Sequence, residues 1–264
     1  MNRDTKALVI AIIAVAAAVV IVISGLFAYS GMKRPLTVVE SGSMQHSADT
    51  SYLGIIDTGD MVVMISPDKK TPTTYVEGHQ NGYSKFGSYG DVIIYYREGK
   101  NPVIHRAILW LDYSGGKWSA PALKDYPAEY WENAGTWDDL TGMLTLDRLP
   151  LRDGYTKLSI DLDTLAHNSG YLTKGDNNNY FDQGALGGIH PAPVTMSELK
   201  AIAGFEIPWL GCIKLLVNNK NTDKIPDNSK TCLFILFIDI IIFIALISVL
   251  FEYLLNQKRK EESV

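Results

Sequence analysis

Cysteine and runs of basic residues are scarce in this chain of 264 residues. The only cysteines are Cys212 and Cys232. They form no Cys-x-x-C and have no histidine at ligand spacing, which excludes zinc ribbons and fingers. A disulfide between them is not expected, because Cys232 opens an apolar block. The formal net charge is −5, and no Lys/Arg run interrupts the middle of the chain. Nucleic acid is therefore not expected as a partner. No internal repeat is visible.

What is present is two apolar blocks around a polar, aromatic-rich centre. Ala7 to Tyr29 carries no charge. As a helix it would be about 34 Å long, enough to cross a hydrocarbon core of about 30 Å. The apolar region of a cleaved signal peptide is shorter, about 7–15 residues. The second block, 232–255, is interrupted by Asp239 and Glu252. Glu252 lies near its end. Asp239 lies about a third of the way in, where an acid is costly; snorkelling to the nearer surface or protonation is expected in preference to pairing with a membrane partner. Arg3 and Lys6 precede the first block, and Lys258, Arg259 and Lys260 follow the second. By the positive-inside rule this predicts cytoplasmic ends (1–6 and 256–264) and an extracytoplasmic domain over 30–231, although Lys33 and Arg34 run against it. The expected location is a cell membrane, with the lipid bilayer as a partner.

The centre reads as mainly β. Leu36–Ser41, Met61–Ile65, Val92–Tyr96 and Val103–Ile108 are short runs rich in β-branched and aromatic residues, with Gly59-Asp60 and Gly90-Asp91 before two of them. Glu98–Pro102 is the expected hairpin turn. A further strand ends near Tyr171, and another one or two are expected between Met196 and Leu215. Residues 109–170 hold four of the five tryptophans and read as an inserted β-rich lobe. Those aromatics predict a small core of its own in preference to a membrane rim.

Three segments can carry chemistry. In Ser41-Gly-Ser43-Met44, a serine after a strand and a glycine can sit in a tight turn with its hydroxyl exposed and its own N–H facing a developing oxyanion. His105 lies in an apolar strand, where a histidine is usually structural unless a nucleophile beside it needs a base. Lys174-Gly-Asp176-Asn-Asn-Asn-Tyr-Phe-Asp182 is a polar loop whose two acids are placed to orient a histidine. Its rival reading, a calcium loop, fails at Tyr180, Phe181 and Gly187. No metal is expected.

Taken in order, Ser41-Gly-Ser-Met, Gly59-Asp, Gly90-Asp-Val with Ile104-His-Arg, and Thr173-Lys-Gly-Asp-Asn-Asn with a further Asp resemble type I signal peptidase. The histidine at 105 resembles the archaeal and endoplasmic-reticulum branch, since the bacterial branch has lysine there. The resemblance covers about 37–215, outside the 109–170 insert. It implies a signal peptidase-like β catalytic domain. It also implies a serine endopeptidase that removes signal peptides from secretory preproteins after small residues at −1 and −3, without a cofactor. By position, Ser43 aligns with the nucleophile, His105 with the general base, and Asp176 and Asp182 with the loop acids. Asp182 resembles the acid that orients the base and Asp176 one that shapes the loop, and the sequence leaves open which of the two completes the triad. Ser41 and Ser43 would form the oxyanion hole. The chain departs from the pattern at His46, where proline is usual, and in a longer 44–59 stretch. His46 and Lys100 are rival bases, disfavoured by their positions. Two other classes compete: a membrane-tethered binding module with structural Ser43 and His105, and a soluble autoprotease of the SOS-repressor kind, which the apolar blocks disfavour.

Overall fold

The computed structural model describes residues 3–152, 154–184 and 188–261. The outermost residues of both expected cytoplasmic ends, 1–2 and 262–264, lie outside this range, as does Gly187. Chain order begins with helix α1 (Arg3–Ser30), strands β1 (Leu36–Val38) and β2 (Met61–Ile65), and helix α2 (Tyr75–Asn81). Short strands β3 (Ser84–Lys85) and β4 (Ser88–Tyr89) precede β5 (Val92–Arg97) and β6 (Lys100–Ser114). Next come β7 (Lys117–Ser119), β8 (Trp131–Glu132), β9 (Met143–Leu151) and β10 (Gly154–Asp161). Strands β11 (Gly170–Lys174) and β12 (Leu199–Ile207) and helices α3 (Cys212–Val217) and α4 (Asp227–Glu261) complete it.

The main sheet is antiparallel, in the order β1-β2-β12-β5-β6-β11, with β7 paired to the far end of β6. Its central strands are apolar on both faces because both are covered. One face packs Val62, Met64, Ile94 and Ala203 around Met44, and the other packs Ile65, Ile93, Tyr95 and Ile202 around Val194. The hairpin between β5 and β6 is tighter than expected. Arg97 pairs with Lys100, so Glu98 and Gly99 alone make the turn, with Gly99 at φ 63°. Lys100 is thus an exposed strand residue rather than part of the turn.

The lobe is also smaller than 109–170. Strand β6 continues through Ser114, and Leu111 still pairs with Gly170 of β11. Residues 109–114 therefore belong to the main sheet, because β11 pairs them as far as Leu111 and β7 pairs Asp112 to Ser114, which satisfies their backbone groups. The lobe proper, 115–169, holds the three-stranded sheet β10-β9-β8. It lacks the separate core expected of it. Trp118, Leu123, Leu140, Leu144 and Leu149 share one core with Tyr75, Leu109 and Leu172 of the main domain. Trp131 and Trp137 pack against that core from the side.

Helix α2 was not expected from the strand pattern. Thr74 accepts from Glu77 N while Glu77 accepts from Thr74 N, a capping box, and Gly82 closes the helix at φ 77°. Helix α3 likewise replaces part of a region expected as strand.

Among the described residues, two helices are long and apolar enough to cross a membrane, Ile12–Ser30 and Asp227–Leu254, with mean hydropathies of 2.7 and 3.2. The second begins five residues before Cys232 because its first turns dock on the domain. Asn228 exchanges two hydrogen bonds with the Ser51 backbone, and Leu233 packs with Cys212, Leu215 and Ile225. Both cysteines are free thiols. Asp239 is exposed on α4 and has no ion pair among the described residues.

The shared core makes lobe and sheet one cooperative unit. Leu144→Ala, at a fully buried lobe position, is expected to destabilise the domain by about 2–5 kcal/mol. Near-UV and far-UV melting in detergent should shift together as one transition. Two separated transitions would mean that the lobe folds by itself.

Candidate active site

Alternation along β6 divides the site. Neighbouring strand residues point to opposite faces, so His105 and Arg106 serve different carboxylates. His105 Nδ1 lies 2.5 Å from Asp182 Oδ2. The same oxygen accepts from Thr173 Oγ1 at 2.7 Å and from Tyr95 OH at 2.9 Å. Burial alone would raise the Asp182 carboxyl, but the His105 charge and the three hydrogen bonds hold it below its ordinary value. With Nδ1 assigned as the donor to this carboxylate, Nε2 carries the lone pair.

Asp176 contacts Arg106 instead. The guanidinium Nε lies 2.9 Å from Oδ1 and Nη2 lies 2.5 Å from Oδ2, with both side chains fully buried. The remaining donors of Arg106 bind the carbonyls of Lys85, Phe86, Ser88, Tyr89 and Gly90. His46 Nε2 stands 3.7 Å from Asp176 Oδ2, on the side of Asp176 and not of Asp182.

Ser43 sits in a single 3-10 turn, Gly42–Met44, whose Met44 is buried in the core. The acid loop clamps this turn. Asn177 N donates to Ser43 O at 2.8 Å, and Asn177 Nδ2 donates to Gly42 O at 2.8 Å. A β-carbon at Gly175 would lie 2.5 Å from Ser43 O and 2.9 Å from His105 Nε2. Only glycine lets the loop pass between the turn and the imidazole. Ser43 Oγ lies 3.2 Å from Ser41 Oγ, and no hydrogen bond joins it to His105. Ser41, Ser43 and His105 line one cavity of about 670 Å³, together with Thr37 and Asn178.

The strand pattern did not single out Arg106, Asn177, Gly175 or Lys174. Lys174 is buried, and its ammonium donates to Gly175 O at 2.9 Å and to Pro150 O of β9. Burial pushes it down to about 8, with Asp176 opposing. Away from these residues, Asp60 accepts from the backbone N–H groups of Asp57 and Trp209. Burial pushes its carboxyl up to about 7 against those hydrogen bonds, and Asp57 and Glu206 add repulsion.

No protein-family model matches the chain, and no curated protein matches it.

Two outcomes follow from these carboxylates. Arg106→Met leaves Asp176 buried without its partner and is expected to destabilise by about 3–5 kcal/mol. Arg106→Met with Asp176→Leu should recover part of that loss in chemical denaturation, and failure to recover any would mean that the pair does not act as a unit. Asp60 is raised in the folded state above its unfolded value near 3.9. Its contribution to stability is full below about pH 4 and is lost as pH rises through about 7. Asp60→Asn should flatten the melting temperature between pH 4 and 7. Parallel wild-type and variant profiles would assign that slope to other groups.

Proposed function

We propose that this chain is a membrane-anchored serine endopeptidase of the signal peptidase type, acting on secretory preproteins. The observation that carries the reading is the His105–Asp182 contact, with Nε2 beside the Ser43 turn in a shared cavity. A buried carboxylate that fixes one imidazole nitrogen and leaves the other toward a serine is the arrangement an acyl-transfer site needs. The two apolar helices support a bilayer anchor, with the β domain on the outer face and both chain ends in the cytoplasm.

In the proposed reaction, Ser43 Oγ attacks the scissile carbonyl carbon while its proton passes to His105 Nε2. Asp182 stabilises the imidazolium through Nδ1–H. The backbone N–H of Ser43 and the Ser41 hydroxyl donate to the oxyanion. The C–N bond then breaks, and His105 returns its proton to the leaving amine. Water, deprotonated by the same nitrogen, hydrolyses the Ser43 ester and releases the signal peptide's new carboxylate. For this the Ser43 hydroxyl has to turn from Ser41 toward His105. Asp176 acts by holding the loop through Arg106, and no residue pair in the scheme calls for a cofactor. Tethering raises the effective concentration of a substrate whose apolar segment lies in the same bilayer.

The deciding assay uses a preprotein with an Ala-x-Ala site, in liposomes, with N-terminal sequencing of the product. Ser43→Ala is expected to lower kcat by at least about 10³-fold. Asp182→Asn should lower it by about 10²–10⁴-fold, through loss of the correct tautomer. Equal cleavage by Ser43→Ala would dismiss that serine, and intact substrate with every variant and the wild type would favour a membrane-tethered binding module.

A further inference from the structure

The cavity holding Ser43 and His105 is rimmed by four cations and one carboxylate. Their pairing is unequal. Glu40 already takes Lys214 Nζ at 3.0 Å and Lys220 Nζ at 2.6 Å. Arg97, at the end of β5, and Lys200, at the start of β12, have no carboxylate partner among the described residues. Arg97 Nη2 makes only a long 3.4 Å contact to Asn101 O, and its Nε is buried without a partner. Lys200 Nζ lies over the Tyr96 ring, 5.6 Å from its centroid. The two cations stand on paired strands, since Leu199 is in register with Tyr95. The acids nearest in sequence do not neutralise them: Glu98 is exposed on the hairpin, and Glu198 is held by His190 at 3.1 Å.

Two half-buried, like-charged groups facing one cavity repel each other and lose hydration, and an anion between them relieves both penalties. An extended peptide advances about 3.3 Å per residue. A chain crossing this cavity with its scissile bond at Ser43 therefore brings nearby side chains to the cationic rim. A lipid phosphate fits the geometry less well. Of the four rim cations, Lys214 and Lys220, on and just after the helix that leads into α4, are the nearest to a bilayer anchor in the chain, and Glu40 already occupies them.

We propose that Arg97 and Lys200 form an acid-recognising subsite, so that this protein favours substrates with Asp or Glu within a few residues of the cleaved bond. This rests on the endopeptidase reading above. The test is a set of peptides sharing one Ala-x-Ala site, with Asp, Asn or Lys placed in turn at each of the flanking positions. They are cleaved in neutral detergent by the wild type, Arg97→Glu/Lys200→Glu, and Arg97→Gln/Lys200→Gln.

At one position or two adjacent ones, the wild type should prefer Asp over Lys by roughly tenfold in kcat/KM, the size expected for one carboxylate meeting two half-buried cations. The Gln variant should lose the preference and the Glu variant should invert it, an inversion that misfolding cannot produce. Added salt should shrink the ratio. Equal rates for Asp and Lys at every position, with the Asn peptides still cleaved, would overturn the subsite and leave the protease reading intact. A uniform loss on all peptides that appears only with anionic vesicles would overturn it in favour of lipid head groups. Failure to cleave even the Asn peptides would overturn the endopeptidase reading, and the subsite with it.

Discussion

The buried ion pair between Arg106 and Asp176 fixes the loop on which the rest of the site depends. Taking both charges out of water is expensive, and a single contact would not repay it. Here the guanidinium holds the carboxylate through two of its nitrogens and spends its other donors on five backbone carbonyls between Lys85 and Gly90. The pair thereby ties the acid loop to the segment that enters β5. Once Asp176 is held, the next residue, Asn177, reaches the carbonyls of Gly42 and Ser43. Six residues on, Asp182 meets His105. One loop thus sets the positions of both the serine turn and the imidazole, although these come from segments about sixty residues apart.

The sheet supplies the second constraint. His105 and Arg106 are neighbours on β6, so they point to opposite faces, and one loop must serve both. It does so with Asp176 on one side and Asp182 on the other, after a close passage at Gly175, where any side chain would collide with Ser43 O and His105 Nε2. The lobe takes part through Lys174, whose ammonium joins Gly175 O to Pro150 O of β9. A buried lysine held by carbonyls instead of a carboxylate is an unusual anchor. It adds a polar tie to the apolar core that the lobe shares with the main sheet.

How much of this was legible in the sequence depended on the range of the signal. The strands β2, β5 and β6 were readable because each is an apolar run that packs on both faces. The two long helices were readable because nothing charged interrupts the first and little interrupts the second. Helix α2 was missed although Thr74, Glu77 and Gly82 spell its cap and its stop, because its seven residues are too few to show a period. The lobe boundary was placed too early because aromatic content does not reveal strand pairing, and Leu111 belongs to the sheet only through its partner Gly170. Ser43, His105, Asp176 and Asp182 were singled out by local motif and resemblance. The division of labour between the two acids follows from facing directions that only the folded sheet defines. The clamp by Asn177 was written in the polar run after Gly175, but its target, the carbonyl of Ser43, lies far away in the chain.

The apolar helices also bear on the cavity. Both attach near strand β12. Helix α1 ends with Tyr29 against Phe205, at 5.6 Å between ring centroids, and with Ser30 O accepting from Ser66 N. Helix α4 is reached through α3, which follows β12 after Trp209. That helix and the residues after it are bound in turn to the segment between β1 and the serine turn, because Lys214 and Lys220 grip the Glu40 carboxylate and Asn221 donates to the Glu40 carbonyl. Glu40 stands three residues before Ser43. Asp60 adds a second tie by accepting from Trp209 N while its own carbonyl takes Val39 N. The serine turn is therefore held from both helices through short, stiff connections rather than through a flexible linker. With the helices in a bilayer, the height of Ser43 above it is set by the sheet itself, and under the proposed activity a substrate anchored in the same bilayer would meet the cavity at a fixed distance along its chain.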